Sequence, residues 1–140
     1  MSDNSHRAKA ALVGHWRIVE MDVWEQEDVD LVAPGFIEFD GDHTGSLGFI
    51  AVQGGIDWRD VPRDGRPGVE FSFEGFDEGE PATGRGWAVM EQDGSLRGHL
   101  FFHLGDNSGF RAERNGETER NRETEQRATV PGTWTSGRRR

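Results

Sequence analysis

The sequence predicts an all-β protein, an antiparallel up-and-down β-barrel of about eight strands. Its apolar residues come in short bursts of strand length, and glycine- and aspartate-rich turn sequences separate these bursts about every ten residues. Long meanders of this kind remove their exposed edges by closing into a barrel. The predicted strands are residues 13–24, 36–40, 46–53, 56–61, 69–74, 84–92, 95–104 and 109–114.

Turn chemistry places the boundaries between these strands. The predicted breaks are APG, DGDHTG, QGG, PRDGRPG, FDEGEPATG, DG and GDNSG, which are rich in the residues that favour turns. The acidic segment 25–32 after the first strand fits either a loop or an early strand, because its apolar residues lie two apart.

The chain of 140 residues has the length of one domain with a core of its own. We expect a flexible N-terminus over residues 1–11, the barrel over residues 12–114 and a disordered tail over residues 115–140. The tail holds almost no apolar side chain apart from Val130 and Trp134, so it has little to bury.

Composition excludes several classes of function. A formal net charge of −10 disfavours binding to nucleic acid or to an anionic membrane, since both need basic surfaces. The absence of cysteine excludes disulfides, thiolate metal sites and cysteine nucleophiles. No segment has the pattern of a signal peptide or of a membrane span, so we expect a cytoplasmic protein. No cofactor is expected, and the oligomeric state stays open.

The pair Asp93-Gly94 predicts the register of one hairpin. As a two-residue turn it places Gln92 opposite Ser95 and therefore Arg85 opposite Phe102. Opposed residues share a face, and the more apolar face is expected to point inward. That inner face would hold Thr83, Arg85, Trp87, Val89, Leu96, Gly98, Leu100 and Phe102.

An inward Arg85 needs an anion, because a guanidinium cannot lose its charge. The period-two pattern of the first strand puts Glu20 on the same face as Trp16, which makes Glu20 the leading internal partner. Asp60 and the loop acids Asp77 and Glu78 are weaker candidates. Arg85 is therefore either half of a structural ion pair with Glu20 or the anchor for a carboxylate or phosphate ligand.

These positions predict one site and leave three functions open. The first is binding of a small, partly apolar anionic ligand inside the barrel. The second is a barrel enzyme of the isomerase or cyclase type that uses Glu20 as acid or base, and the third is a structural or interaction module with a solid core. The predicted ligand-binding residues are Arg85, Trp87, Glu20, Trp16, Trp58, Phe71, Phe73 and Phe102.

No metal site is expected. His99 and His103 share a strand face, but at ~3.3 Å per residue they stand about 13 Å apart, too far to share a zinc ion. The DGDHTG turn begins like a calcium loop but lacks its downstream glycine and glutamate.

Two other sets of polar residues are interpreted as ordinary surface groups. The combination of His103, Asp106 and Ser108 has the residue types of a catalytic triad, without the G-x-S-x-G element that would support it. The second set consists of acids around the predicted FDEGEPATG loop, where solvated carboxylates are common; they are Glu74, Asp77, Glu78 and Glu80.

Three short motifs resemble the calycin superfamily, which comprises lipocalins and fatty-acid-binding proteins. Gly14-His15-Trp16 is similar to the lipocalin G-x-W, and Arg111 in GFRAER would match the arginine that packs over that tryptophan. Arg85 and Trp87 look like the R-x-aromatic pair that holds a carboxylate in fatty-acid-binding proteins. The resemblance covers about residues 12–114 and implies a barrel with an interior ligand.

A second resemblance extends over the later strands. The run E-G-x-D-E…G-R-G-W-A…G-x-L-x-G…F-H-x-G-D-x-S-x-F, which begins at Glu74, is similar to that of a set of small uncharacterised bacterial proteins. This resemblance implies no activity.

Overall fold

A computed structural model describes residues 11–114 of the chain, and these residues form a closed barrel of eight antiparallel strands. Each strand pairs with the next in sequence, and β8 pairs with β1, so the predicted fold class is confirmed. The predicted flexible N-terminus, apart from its last residue, and the predicted tail lie outside the described residues. The elements are β1 Gly14–Met21, α1 Gln26–Val29, β2 Phe36–Phe39, β3 Thr44–Phe49, β4 Val52–Asp60, β5 Gly68–Asp77, β6 Glu80–Met90, β7 Leu96–Phe102 and β8 Asn107–Arg114.

The connection between β1 and β2 differs from both sequence interpretations. It contains the short helix α1 rather than only a loop or a strand. Val29 is the buried residue of this helix, and its carbonyl oxygen accepts a hydrogen bond from the Ile50 backbone N–H at 2.7 Å. The helix is therefore tied to the turn between β3 and β4.

Two predicted turn sequences lie inside strands instead. The β3–β4 turn falls at residues 50–51, with Ile50 at a φ of 58°, while QGG belongs to β4. Glycine suits position 54 of that strand, because a Cβ there would meet the carbonyl oxygen of Glu74 at 3.0 Å. The predicted FDEGEPATG loop is mostly strand, and its turn comprises only Glu78 and Gly79.

Alternation along β4 and β5 builds much of the core, as predicted. Ile56 and Trp58 of β4 point inward, and so do Val69, Phe71 and Phe73 of β5, whereas Glu70 and Glu74 are exposed. Twenty buried apolar residues form one contiguous cluster, so the barrel interior is filled by side chains.

The meander places its connections at two ends of the barrel. The β1–β2, β3–β4, β5–β6 and β7–β8 connections share one end, which we call the acidic end because of the carboxylates described below. The other connections lie at the opposite end, together with the start of β1 and the end of β8. In the structure Glu78 donates its backbone N–H to Ala51 at 3.3 Å, which links two turns of the acidic end.

Candidate functional site

The β6–β7 hairpin has a different register from the one that the sequence predicted. Glu91 pairs with Ser95 through a 2.8 Å hydrogen bond from the Glu91 N–H, which leaves a three-residue loop. Gly94 closes this loop at a φ of 89°, the left-handed conformation that glycine favours. The Asp93 carboxylate accepts hydrogen bonds from Ser95 N–H and Oγ at 2.9 and 2.7 Å, and these bonds lower the pKa of Asp93.

The extra loop residue reverses the faces of β6. Arg85 pairs with Phe101 and Gly84 with Phe102, so the predicted opposition of Arg85 and Phe102 is wrong. A slip of one residue turns every side chain of a strand to the other face. Arg85 therefore lies on the outer surface and is exposed, with its guanidinium carbon 4.8 Å from the Phe101 ring centroid.

Trp87 also lies outside the barrel, against the prediction. Its ring is covered by two guanidinium groups, Arg63 at 3.9 Å and Arg97 at 5.3 Å from the ring centroid. Stacked arginine and tryptophan attract each other electrostatically, so this cluster stabilises the outer surface of β6. Arg97 in turn donates to Glu91 at 2.6 Å.

Glu20 points outward because β1 contains a β-bulge. The register with β8 shifts between Ile18 and Glu20, and the extra residue reverses the alternation that the sequence predicted. Trp16 and Ile18 are buried as expected, but the Glu20 side chain is 66% exposed and lies 3.7 Å from Arg111. An ion pair between Arg85 and Glu20 inside the barrel is therefore excluded.

The five remaining members of the predicted site do lie inside. Trp16, Trp58, Phe71 and Phe73 are buried, and Phe102 is partly buried against Phe73 at a centroid distance of 5.5 Å. They pack against one another and their neighbours as core residues. Whether any of the eight residues binds a ligand stays a prediction.

Aromatic rings close both ends of the interior. At the acidic end Phe49 lies 6.0 Å from Trp24 and 6.0 Å from Phe102 between ring centroids. At the opposite end the Trp58 ring packs on Phe39, and its Nε1 donates to the carbonyl oxygen of Thr44 at 2.9 Å. A small molecule would have to displace these packed rings to enter.

The arginine that covers Trp16 is Arg114, not Arg111 as the lipocalin resemblance implied. The guanidinium carbon of Arg114 lies 4.0 Å from the Trp16 ring centroid, and Nη1 donates to the Val13 carbonyl oxygen at 2.7 Å. Burial lowers the pKa of Arg114. Gly14 has a φ of 133° and leaves the space that this guanidinium occupies. The arrangement is compatible with a calycin barrel.

Arg85 instead lines an open groove on the outer surface, which we call the polar groove. Its volume is about 770 Å³, and it crosses β3 to β7. Ser72 and Gly55 are small, which leaves the groove hollow, while Asp57 and Glu74 bring negative charge beside Arg85. These carboxylates compete for the guanidinium, so the groove is a poor anchor for an anion.

A second open groove runs along the outer surface toward the acidic end, and we call it the apolar groove. It has a volume of about 580 Å³ and lies between the β1–β2 connection and strands β2 to β5. Phe76 is 58% exposed and Val32 is 63% exposed, so both present apolar surface to solvent. Phe36 lies across Gly48, where an added Cβ would meet the ring at 2.8 Å.

All five large apolar side chains that stand exposed among the described residues cluster at the acidic end. Three are in the β1–β2 connection, one is near the end of β5, and one is in the β7–β8 turn, where it is 94% exposed. Single exposed apolar side chains are ordinary, but their concentration at one end is typical of an interaction surface. They are Val23, Leu31, Val32, Phe76 and Leu104.

The same end carries strong negative charge. Three segments at this end, residues 22–35, 77–80 and 103–106, contain nine carboxylates and neither lysine nor arginine. Arg17 of β1 is the nearby cation, and Asp30 binds it in a bidentate pair at 2.8 and 2.9 Å. The carboxylates are Asp22, Glu25, Glu27, Asp28, Asp30, Asp77, Glu78, Glu80 and Asp106.

Asp30 organises the connection that forms one wall of the apolar groove. Burial acts to raise the pKa of its carboxyl group, but hydrogen bonds from Arg17, the Gly35 backbone and Gln26 outweigh that effect and lower the pKa. The bond to Gly35 is 2.8 Å long. The ionised carboxylate therefore holds both ends of the 30–35 loop in place.

Metal-binding groups do not converge in the part of the chain that the structure describes. Residues 11–114 contain no group of three or more histidine, aspartate or glutamate side chains placed to hold a metal ion. His99 forms a hydrogen bond with Asn107 at 2.8 Å and packs against the Phe101 ring. Within the same range no helix is long and apolar enough to cross a membrane.

Sequence reasoning missed the acidic end because its parts are far apart along the chain. Leu31 comes from the β1–β2 connection, Phe76 from β5 and Leu104 from the β7–β8 turn, and only the barrel closure brings them to one end. One signal was present in the sequence. The acidic segment 25–32 holds apolar residues among its carboxylates.

No family model matches the chain, and no curated protein matches it.

Proposed function

We propose that this barrel is an interaction module that binds a polypeptide partner at its acidic end. The observation that carries the proposal is the concentration there of all five large apolar side chains that are exposed among residues 11–114, while twenty buried apolar residues of the same range form one core cluster. Protein-binding surfaces expose apolar residues in this way within a polar rim.

The filled interior supports this function over an interior ligand. Trp16 is 0% exposed and Trp58 is 2% exposed, and each donates its indole N–H to a backbone carbonyl group. A protein that carries an interior ligand needs space beside such rings, and it needs polar groups aimed inward to orient the ligand. The charged pair expected to do so, Arg85 and Glu20, lies outside.

Site-specific photo-crosslinking in cells that express the protein tests the proposal. A photoreactive amino acid replaces Leu31 or Leu104 at the acidic end, and Gln92 at the opposite end serves as a matched exposed control. We expect one discrete crosslinked protein from the two acidic-end positions and none from the control. Absence of crosslinks at the acidic end, or equal crosslinks from all three positions, would refute the proposal.

Native mass spectrometry of the purified chain addresses the alternative. An interaction module has the mass of the polypeptide alone after gentle desolvation. A retained small molecule that disappears when Phe71 or Phe73 is changed to Trp would show an interior ligand instead, and the interaction module would be withdrawn.

A further inference from the structure

The apolar groove has the form of a docking site for an extended or helical segment. Phe36, whose ring lies over Gly48, and Phe76 stand on the two sides of the groove, and Val32 forms part of the wall. Pro34 lies in the same wall and restricts the backbone of that loop. A groove with aromatic sides offers contacts to the apolar side chains of a partner.

The way in which a partner binds is limited by the closure of the sheet. Every strand of the described barrel is paired on both sides, so no edge is open for an added strand. Affinity must therefore come from side chains that enter the groove and from charges around it.

Charge selects the partner. The nine carboxylates stand at the end to which the groove runs, and Glu74 lines the groove itself. Arg17 neutralises only Asp30, which it binds at 2.8 Å, and leaves the charge of the other eight. A second copy of this acidic barrel would be repelled, whereas a segment with lysine or arginine beside apolar residues would be attracted.

The chain's own C-terminal segment starts at the end of the barrel opposite to the acidic end. The described residues end at Arg114, beside Trp16 and Val13 at the opposite end of the barrel. A segment that starts there has to run the length of the barrel to reach Phe76. A basic segment of another protein meets no such constraint.

We propose that the apolar groove between the β1–β2 connection and the outer face of β2 to β5 binds a basic, apolar segment of a partner protein. The inference rests on the proposed function and names the partner's chemistry. Apolar side chains of the segment contact Phe36, Phe76 and Val32, and its cationic side chains reach Glu74 and the carboxylates of the acidic end.

Fluorescence anisotropy on the full-length chain tests this chemistry. The probe is a short fluorescein-labelled peptide in which leucine and arginine alternate, and two comparison peptides carry glutamate for arginine or serine for leucine. We expect binding of the first peptide alone. Its affinity should fall about tenfold or more when salt rises from about 0.05 M to about 0.5 M, because screening weakens charge attraction.

Matched variants locate the peptide. Phe76→Ser removes an exposed ring from the groove and should weaken binding about tenfold, whereas Leu104→Ser removes an apolar side chain at the same end but outside the groove and should change it less than about twofold. Glu74→Gln should weaken binding and reduce the salt dependence, with Glu113→Gln on β8 as the neutral control. Circular dichroism checks that each variant folds.

Three results would overturn the proposal. The first is equal binding of all three peptides, or equal loss with Phe76→Ser and Leu104→Ser. The second is a dimer in sedimentation analysis that Phe76→Ser abolishes, which would make a second copy the occupant. The third is peptide binding that begins only when Arg138, Arg139 and Arg140 are all changed to Ser, which would assign the groove to the chain's own C-terminal segment.

The two experiments distinguish a failure of this inference from a failure of the proposed function. Discrete photo-crosslinks from Leu31 and Leu104 together with no peptide binding would keep the interaction module and reject only the basic, apolar partner.

Discussion

Replacement of Trp16 by alanine tests the most constrained contact of the barrel. The side chain is fully buried, and its Nε1–H donates to the Leu12 carbonyl oxygen at 2.9 Å. The guanidinium of Arg114 covers the ring at 4.0 Å while it donates to the Val13 carbonyl oxygen. The substitution therefore leaves a cavity, an unpaired carbonyl group and a partly buried cation without its aromatic contact.

The magnitude follows from these three losses. Truncation of a buried tryptophan costs about 3–5 kcal/mol in free energy of unfolding. The lost hydrogen bond at Leu12 adds about 1 kcal/mol, and the lost cation–π contact adds about 0.5–1 kcal/mol. Since these effects overlap, we expect a total near the upper end, about 4–5 kcal/mol. For a domain of this size that corresponds to a fall in Tm of more than about 15 °C.

Urea unfolding followed by far-ultraviolet circular dichroism measures the change. Trp16→Phe is the control, because it keeps most of the apolar volume and loses mainly the indole N–H, and we expect a loss of about 1–2 kcal/mol. Arg114→Met should also cost less than Trp16→Ala. A loss below about 1 kcal/mol for Trp16→Ala would refute the burial of the ring and the assignment of Arg114 as its cover.

Three further substitutions test other parts of the structure, each by chemical denaturation. Asp30→Asn should cost about 1 kcal/mol at neutral pH, and the difference from wild type should begin to shrink as the pH falls below about 4 and vanish only below the lowered pKa of Asp30, because that carboxyl group stabilises the fold only while it is ionised; a pH-independent difference would contradict this. Arg85→Met should change the free energy of unfolding by less than about 0.5 kcal/mol, since the side chain is exposed, and a loss of several kcal/mol would indicate that Arg85 lies inside the barrel. Gly98→Ala should cost about 1–3 kcal/mol, because the added methyl group meets a phenylalanine ring of β8 at 2.5 Å, whereas Gly41→Ala, which meets nothing within 4 Å, should be neutral; equal effects would argue against the packing of β7 on β8.

Local patterns in the sequence were sufficient to predict the strands and most of the core. The eight predicted apolar segments correspond to the eight strands of the structure. Alternating apolar residues form a strand with one apolar face, and that face is buried when the sheet closes into a barrel. Phe71, Phe73 and Trp58 point inward, as alternation alone predicts. In β4 and β5 the predicted alternation of inward and outward side chains is correct. The residues from which it was predicted, Ile56–Trp58 and Val69–Phe73, pair with the adjacent strands without a bulge.

The prediction of the candidate site was wrong where one extra residue interrupts the alternation of inward and outward side chains. The loop at Gln92–Gly94 holds three residues instead of two, and this difference turned Arg85 and Trp87 outward. The Asp93 carboxylate that caps Ser95 favours the longer loop. The face formed by Gly84, Gly86, Ala88 and Met90 was a signal too, since small residues make room for large rings on an inner face.

The bulge in β1 could not be foreseen from the strand alone. Nothing in the residues around Val19 marks an extra position, because the shift arises from pairing with β8, almost a hundred residues away in the sequence. Arg114, rather than Arg111, lies over Trp16, with which it pairs directly in the β1–β8 register. The sequence by itself determined that these residues form strands with an apolar face. Only the closed barrel decided register, and with it which charges lie outside and which apolar side chains meet at the acidic end, because register depends on hydrogen bonds between distant strands.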